Sequence, residues 1–190
     1  MIRLCAFLGN QGQEYRYHRH NVAWLFLDSM RIASELRWSS KFKGAFTQIE
    51  LGSTIIYFLK PHTFVNLSGE SVGEAVHFYK LGLDEILIVH DELEMPFGAF
   101  GYKLSGGLGG HNGLRSLEKH LGTRDFWRLR FGIGRPEHDD VAGYVLSPFN
   151  PEQLEVLNKK VFPLAERTFY ELFYEGIEGF DVRYKKVLPP

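Results

Sequence analysis

The chain has 190 residues, 44% of them apolar, with 22 Lys and Arg against 23 Asp and Glu. That is one domain's worth of sequence with enough apolar surface for a real core, and its near-neutral balance does not announce a nucleic-acid binder, so any such role must rest on local charge. A single cysteine, Cys5, excludes an intrachain disulfide and a cysteine-based metal cluster, and it reads as a small buried hydrophobe.

Ile2–Leu8 is a short, nearly continuous apolar run and predicts a buried strand. It is too short for a signal peptide and is broken by Gly9-Asn10, and no run approaches the ~18 apolar residues of a membrane span. A cytoplasmic, soluble protein is the expectation. Asn21 to Leu36 carries a helical period. Thr54–Leu59, β-branched and aromatic, predicts a second strand ending at Pro61. Ser68–Leu81 predicts a helix with Val72, Ala75, Val76 and Tyr79 on one face. Glu85–Val89 predicts a third core strand, and Ala99–Leu104 and Arg128–Ile133 predict two more, the first antiparallel after Pro96-Phe97-Gly98. Gln153–Tyr174 predicts a long final helix. Strands alternating with helices give an α/β fold: residues 1–190 as a single domain around a twisted, mixed, largely parallel sheet flanked by helices.

Polar residues cluster where these strands end, which is where open α/β sheets bind ligands. Asn10 and Gly12 follow the first strand, as a turn or as an amide aimed into a cleft. His20, in Arg19-His20-Asn21, sits where loop becomes helix and is either a cap or a base. Asp91 ends the third strand, where a bare carboxylate is costly unless paired. Paired with His20 it makes a base and its orienter, a triad without the serine; otherwise it caps a loop. Glu92 reads as solvated and His90 as a weaker base than His20. Asn66 and Ser68 both stand where a helix cap belongs, and an amide there could also hold an oxyanion. Gly106 to Gly113 lacks both G-x-G-x-x-G and a Gly-Lys-Ser/Thr, so it reads as a mobile lid carrying His111 and Asn112 rather than as a nucleotide cradle. Ser68 lies in no Gly-x-Ser-x-Gly elbow, and no His-Glu-x-x-His is present. The inventory is that of a hydrolase using activated water. Lys103, Arg115, Lys119, Arg124, Arg128, Arg130 and Arg135 form a basic stretch, which suits phosphate or is simply a solvated face.

Gly9-Asn10-Gln11-Gly12-Gln13-Glu14-Tyr15, Arg19-His20-Asn21, Val65-Asn66-Leu67-Ser68-Gly69, His90-Asp91-Glu92-Leu93, Gly109-Gly110-His111-Asn112-Gly113 and Arg130-Phe131-Gly132-Ile133-Gly134, in that order, resemble the bacterial peptidyl-tRNA hydrolase family. The resemblance covers about the whole chain. It implies hydrolysis of the ester between a peptide and the 3′ end of tRNA, which recycles tRNA from stalled translation. His20 matches the base, Asp91 its orienting carboxylate, and Asn10 a residue positioning the scissile end. Tyr15, Val65, Asn66, His111 and Asn112 match substrate-binding positions, and Lys103 and Arg130 a clamp for the tRNA 5′-phosphate. The resemblance further implies no metal or organic cofactor, no membrane, and a monomer whose partner is peptidyl-tRNA. The chain departs from the pattern at Phe7 (usually Gly), Gln11 (usually Pro), His18 (usually Thr), Val65 (usually Met) and in the acidic loop 138–140.

Overall fold

The computed structural model describes residues 1–52, 54–137, 139–177 and the backbone of 185–186. Eight strands form one sheet: β1 Leu4–Phe7, β2 Ser39–Lys41, β3 Gly44–Leu51, β4 Thr54–Pro61, β5 Ile86–Glu92, β6 Ala99–Leu104, β7 Trp127–Gly132 and β8 Lys185–Lys186. Their order is β2-β3-β4-β1-β5-β7-β6-β8. The four central strands β4, β1, β5 and β7 are parallel, and the flanks are antiparallel. The mixed sheet expected from the sequence is therefore what forms.

The central strands read as unbroken apolar runs because helices cover both faces. Along β1, Cys5 and Phe7 face one core and Leu4 and Ala6 the other. The first core takes α1 (Val22–Ser29) and α6 (Phe162–Glu175), with Phe26 packed 5.0 Å from Phe131 and 5.7 Å from Phe162. The second takes α2 (Ser68–Tyr79) and α3 (Asn112–Leu121) through Val72, Ala75, Leu114 and Leu117. Among the described residues no helix is long and apolar enough to cross a membrane.

Three expectations need correction. The helix predicted from Asn21 to Leu36 stops at Ser29, because Met30 turns extended (φ −65°, ψ 144°) and the Arg31 N–H bonds Glu166 instead of a helix carbonyl (2.8 Å). The β2–β3 hairpin was not predicted at all. Its two-residue turn is Phe42-Lys43, both left-handed at φ 52° and 51°, a conformation usually signalled by Asn-Gly. The last helix begins earlier, at Pro151, where Asn150 and Gln153 cap reciprocally. After α5 (Pro151–Val156) it widens into a π turn over Leu157–Val161, just before Pro163. Proline has no N–H to offer the ladder, so the turn expands rather than breaks. A short α4 (Val141–Val145), too brief to show a period, precedes it.

Helices α2 and α3 approach so closely at Gly69 that a Cβ there would lie 2.1 Å from the Ser116 carbonyl oxygen, while the Gly69 N–H donates to Ser116 Oγ (3.0 Å). At Gly73, one turn on, the nearest atom would be 3.5 Å away. Gly69→Ala should therefore cost roughly 1–3 kcal/mol, whereas Gly73→Ala should gain roughly 0.5–1 kcal/mol from helix propensity. Urea unfolding midpoints of the two variants check this; equal shifts of one sign would contradict the packing described.

Candidate active site

The loops leaving β1 and β4 part toward opposite faces, to α1 and α2, and a crevice opens between them at the carboxyl ends of the strands. Asn10 spans it. Its Oδ1 accepts from the Val65 N–H (3.0 Å), while its own N–H and C=O are bound by the Asn21 carboxamide at 2.9 Å each. Asn10 is thus buried and structural on one edge, and its Nδ2 has no partner among the described residues. Neither residue suspected of capping α2 does so: no side-chain cap is made there, Asn66 is exposed in a 3-10 turn, and Ser68 is buried.

Asp91 lies beyond the apolar part of β5, with its side chain 2% exposed. His20 reaches it from the turn before α1, Nδ1 to Oδ1 at 2.8 Å, and His111 reaches the same oxygen through Nε2 at 3.0 Å. The two rings stand 4.8 Å apart. His111 caps α3: its Nδ1 accepts from the N–H groups of Gly113 (3.0 Å) and Leu114 (3.3 Å). A ring nitrogen that accepts carries no proton, so in neutral His111 the proton is on Nε2 and is donated to Asp91. Both nitrogens of His111 are committed. His20 differs, because its Nδ1–H goes to Asp91 while Nε2 has no partner among the described residues and opens on a cavity. The donor atoms of His20, Asp91 and His111 lie within 4.8 Å of one another, near enough to surround a cation. A metal on His111 Nε2 would have to displace that proton, and the alternative tautomer would break the α3 cap.

The electrostatics agree with this assignment. Burial pushes His20 down, but the Asp91 charge and its hydrogen bond outweigh it and raise the imidazole above its ordinary 6.5. Burial alone would raise Asp91; the two imidazoles overcome it and hold the carboxyl well below its usual range. His90, fully buried, is pushed well down by burial and then by His111, and its Nδ1 bonds the Asp91 carbonyl (2.6 Å). It is neutral and inward-facing, and no base.

The cavity, about 260 Å³, is lined by His20, Asp91, Glu92, Leu93, Gly109, Gly110, His111, Asn112, Arg115 and the α4 residues Val141, Ala142 and Val145. A larger open groove of about 520 Å³, along β2–β3, contains no imidazole. Tyr15 does not line the catalytic cavity; its ring packs edge-on against His18 at 5.4 Å. Val65, buried, contributes its backbone N–H. Asn112 opens α3, exposed, with Oδ1 taken by Arg115 (3.3 Å). Gln11 is exposed, Phe7 is buried, and His18 pairs with Pro148 in an isolated bridge. Of the acidic loop, His138 lies outside the described residues, and Asp140 caps α4 by accepting from Gly143 (2.8 Å).

Lys103 and Arg130 are diagonal neighbours on one sheet face, since Lys103 pairs with Arg128 and Gly101 with Arg130. Glu92 is not solvated as expected. Its side chain is 13% exposed and lies 3.8 Å from the Arg130 guanidinium. Sequence reasoning also missed Arg19. Its guanidinium donates to the carbonyls of Ser147 (3.2 Å) and Pro148 (2.8 Å), to Ser147 Oγ (2.6 Å) and to Gln153 Oε1 (3.2 Å), and lies 4.4 Å from the Tyr144 ring. It fastens the turn carrying His20 to the segment that follows α4, the helix whose Val141, Ala142 and Val145 line the cavity. Only its place beside His20 hinted at this.

A family model described as peptidyl-tRNA hydrolase matches residues 4–187. A peptidyl-tRNA hydrolase of Treponema pallidum is 48% identical over 163 residues, 83% of this chain and 81% of the relative. One of Pelobacter propionicus is 46% identical over 157 residues, 82% and 81% of the two chains. The crystal structure of peptidyl-tRNA hydrolase from Acinetobacter baumannii has a TM-score of 0.77 at 31% identity, covering 96% of this chain and 97% of that one. With a family model matched over residues 4–187 and relatives 46–48% identical over more than four fifths of the chain, the chain belongs to the peptidyl-tRNA hydrolase family.

Proposed function

We propose that this chain hydrolyses the ester joining a peptide to the 3′ end of tRNA, releasing a peptide carboxylate and free tRNA. The observation that carries this reading is the pair of His20 and Asp91, with His20 Nε2 open to a cavity and no nucleophilic side chain bonded to it. Water takes the nucleophile's place. His20 Nε2 accepts its proton as the oxygen attacks the ester carbonyl, and Asp91 stabilises the imidazolium that forms. The proton then passes to the departing ribose oxygen. Asn10 Nδ2 suits the scissile end, and the exposed amides of Asn66 and Asn112 suit the peptide backbone and the developing oxyanion. Tyr15 and Val65 suit substrate contacts, Val65 beside Asn10 and Tyr15 against His18. Lys103 and Arg130 suit the 5′-phosphate, remote from the ester. The reading also places the protein in the cytoplasm, as a monomer whose partner is peptidyl-tRNA, with a proton relay that needs no metal.

The deciding assay is release of free tRNA from an N-acylated aminoacyl-tRNA. His20→Ala should lower turnover by ~10²–10⁴-fold in a variant that still folds, with a lowered unfolding midpoint because Asp91 loses one of its two donors; near-normal turnover by the folded variant would remove His20 from its role.

Because the base must be unprotonated and Asp91 raises its pKa, kcat/KM should fall with decreasing pH through a midpoint above 6.5. Asp91→Asn deletes the charge that raises it, so the midpoint should move to lower pH and the plateau should drop. A pH–rate profile with an unmoved midpoint would contradict the pairing.

Lys103→Ala with Arg130→Ala should raise KM for full-length tRNA and flatten its salt dependence, since fewer counterions are released. A minimal substrate lacking the 5′-phosphate should be cleaved normally by the double variant. Equal impairment on both substrates would mean that these residues shape the catalytic cavity instead.

A further inference from the structure

His111 is delivered to Asp91 by a segment, Gly106–Gly110, that has no regular secondary structure. Gly106, Gly109 and Gly110 take positive φ (103°, 56° and 77°), and so does Ser105 (59°), so the backbone itself supplies little stiffness. The root is tied by Ser105, whose Oγ donates to Asp125 (2.7 Å) and whose N–H donates to the Phe126 carbonyl (3.1 Å). The next anchor is Arg128, the second residue of β7. Its side chain is among the largest in the protein to be fully buried. One arm of the guanidinium donates to the Gly107 carbonyl at 2.7 Å and the other to the Gly106 carbonyl at 3.1 Å and, more distantly, the Arg124 carbonyl at 3.5 Å, with the Phe126 ring 5.0 Å away. A desolvated cation met by two loop carbonyls is costly to separate from them. The fork therefore holds the loop as firmly as the loop satisfies the fork. From there the chain needs one more turn, with the His111 N–H on the Leu108 carbonyl (2.8 Å), to bring the imidazole onto Asp91.

We propose that Arg128 is a positioning residue for catalysis: by fixing the carbonyls of Gly106 and Gly107 it keeps His111 in register with Asp91, and so keeps Asp91 in register with His20. This rests on the hydrolase reading above. Arg128 meets no substrate on this account. Its loss frees His111 from Asp91, leaves the carboxylate with one donor instead of two, and weakens the orientation of the base rather than the binding of tRNA.

The test uses Arg128→Met and Arg128→Lys, each alone and with His111→Ala, in the tRNA-release assay and by NMR of the imidazole N–H protons. Arg128→Met should lower kcat by about 10- to 100-fold, with KM changed by no more than about twofold. Adding it to His111→Ala should cost nothing further, because both changes break one path. Arg128→Lys, which reaches one carbonyl in place of two, should recover part of the rate, and it carries the comparison if Arg128→Met does not fold. In either folded variant the His111 Nε2–H resonance should shift or broaden while that of His20 Nδ1–H persists. Wild-type kcat with an unmoved His111 proton in Arg128→Lys would overturn the proposal, as would losses that simply multiply in the double variants. The NMR comparison decides the positioning role even if the unaltered protein fails to release tRNA, so the two readings fail separately.

Discussion

One buried carboxylate sets the geometry of this protein's working end. Asp91 is ionised in a place where an unpaired charge would be expensive, and it is tolerated because two ring N–H groups converge on a single oxygen. Those rings come from elements far apart in sequence, the turn before α1 and the loop before α3. Satisfying Asp91 therefore fixes three segments relative to one another. The two donors are not equivalent. His111 is locked into one tautomer by the α3 cap, so its proton cannot be taken up by the reaction without loss of the helix start. His20 has no such second commitment. The division between a fixed donor and a working base follows from hydrogen bonding alone.

The sheet makes that convergence possible. Because α1 and α2 lie on opposite faces, the backbone separates above β1 and β4, and the Asn10 and Asn21 carboxamides close the gap with bonds to main chain. Asn10 is thereby divided, with one edge holding the crevice together and the other left for a ligand. Such double use explains why a turn-forming residue is so deeply buried.

Much of this could be read in the sequence. β1, β4 and β5 are unbroken apolar runs because both their faces are covered, and the polar residues that punctuate their ends lie where α/β sheets place ligands. His20 and Asp91 followed from that placement. The β2–β3 hairpin did not, because Phe42-Lys43 adopts a left-handed turn without the residues that usually announce one. The helix predicted through Leu36 failed on a tertiary contact, Glu166 capturing the Arg31 N–H. His111 was expected as a substrate-binding position; its bond to Asp91 was not legible, because it needs both a local cap and a partner 20 residues away. Arg19 and Arg128 were illegible for a related reason: their acceptors are largely backbone carbonyls, which any sequence supplies, in segments 128 and 21 or more residues distant.

The charges are arranged on a similarly local scale. The chain as a whole is nearly neutral, at a formal −1, so long-range attraction to a polyanion is weak, and the positive charge is concentrated in a few cations on one sheet face, Lys103, Arg128 and Arg130. Of these, Arg130 is partly balanced by Glu92, and Arg128 is spent on loop carbonyls, which leaves Lys103 the less encumbered member of the trio. Glu92 follows Asp91 directly in β5, and its Oε1 lies 3.2 Å from where a Cβ on Gly109 would be. One strand end thus carries the carboxylate that orients the base and the carboxylate that partly balances Arg130, and the glycine loop packs against the second while delivering His111 to the first. The basic face of Lys103, Arg128 and Arg130 and the hold on the base are consequently mechanical neighbours, joined through main chain and two adjacent acidic side chains.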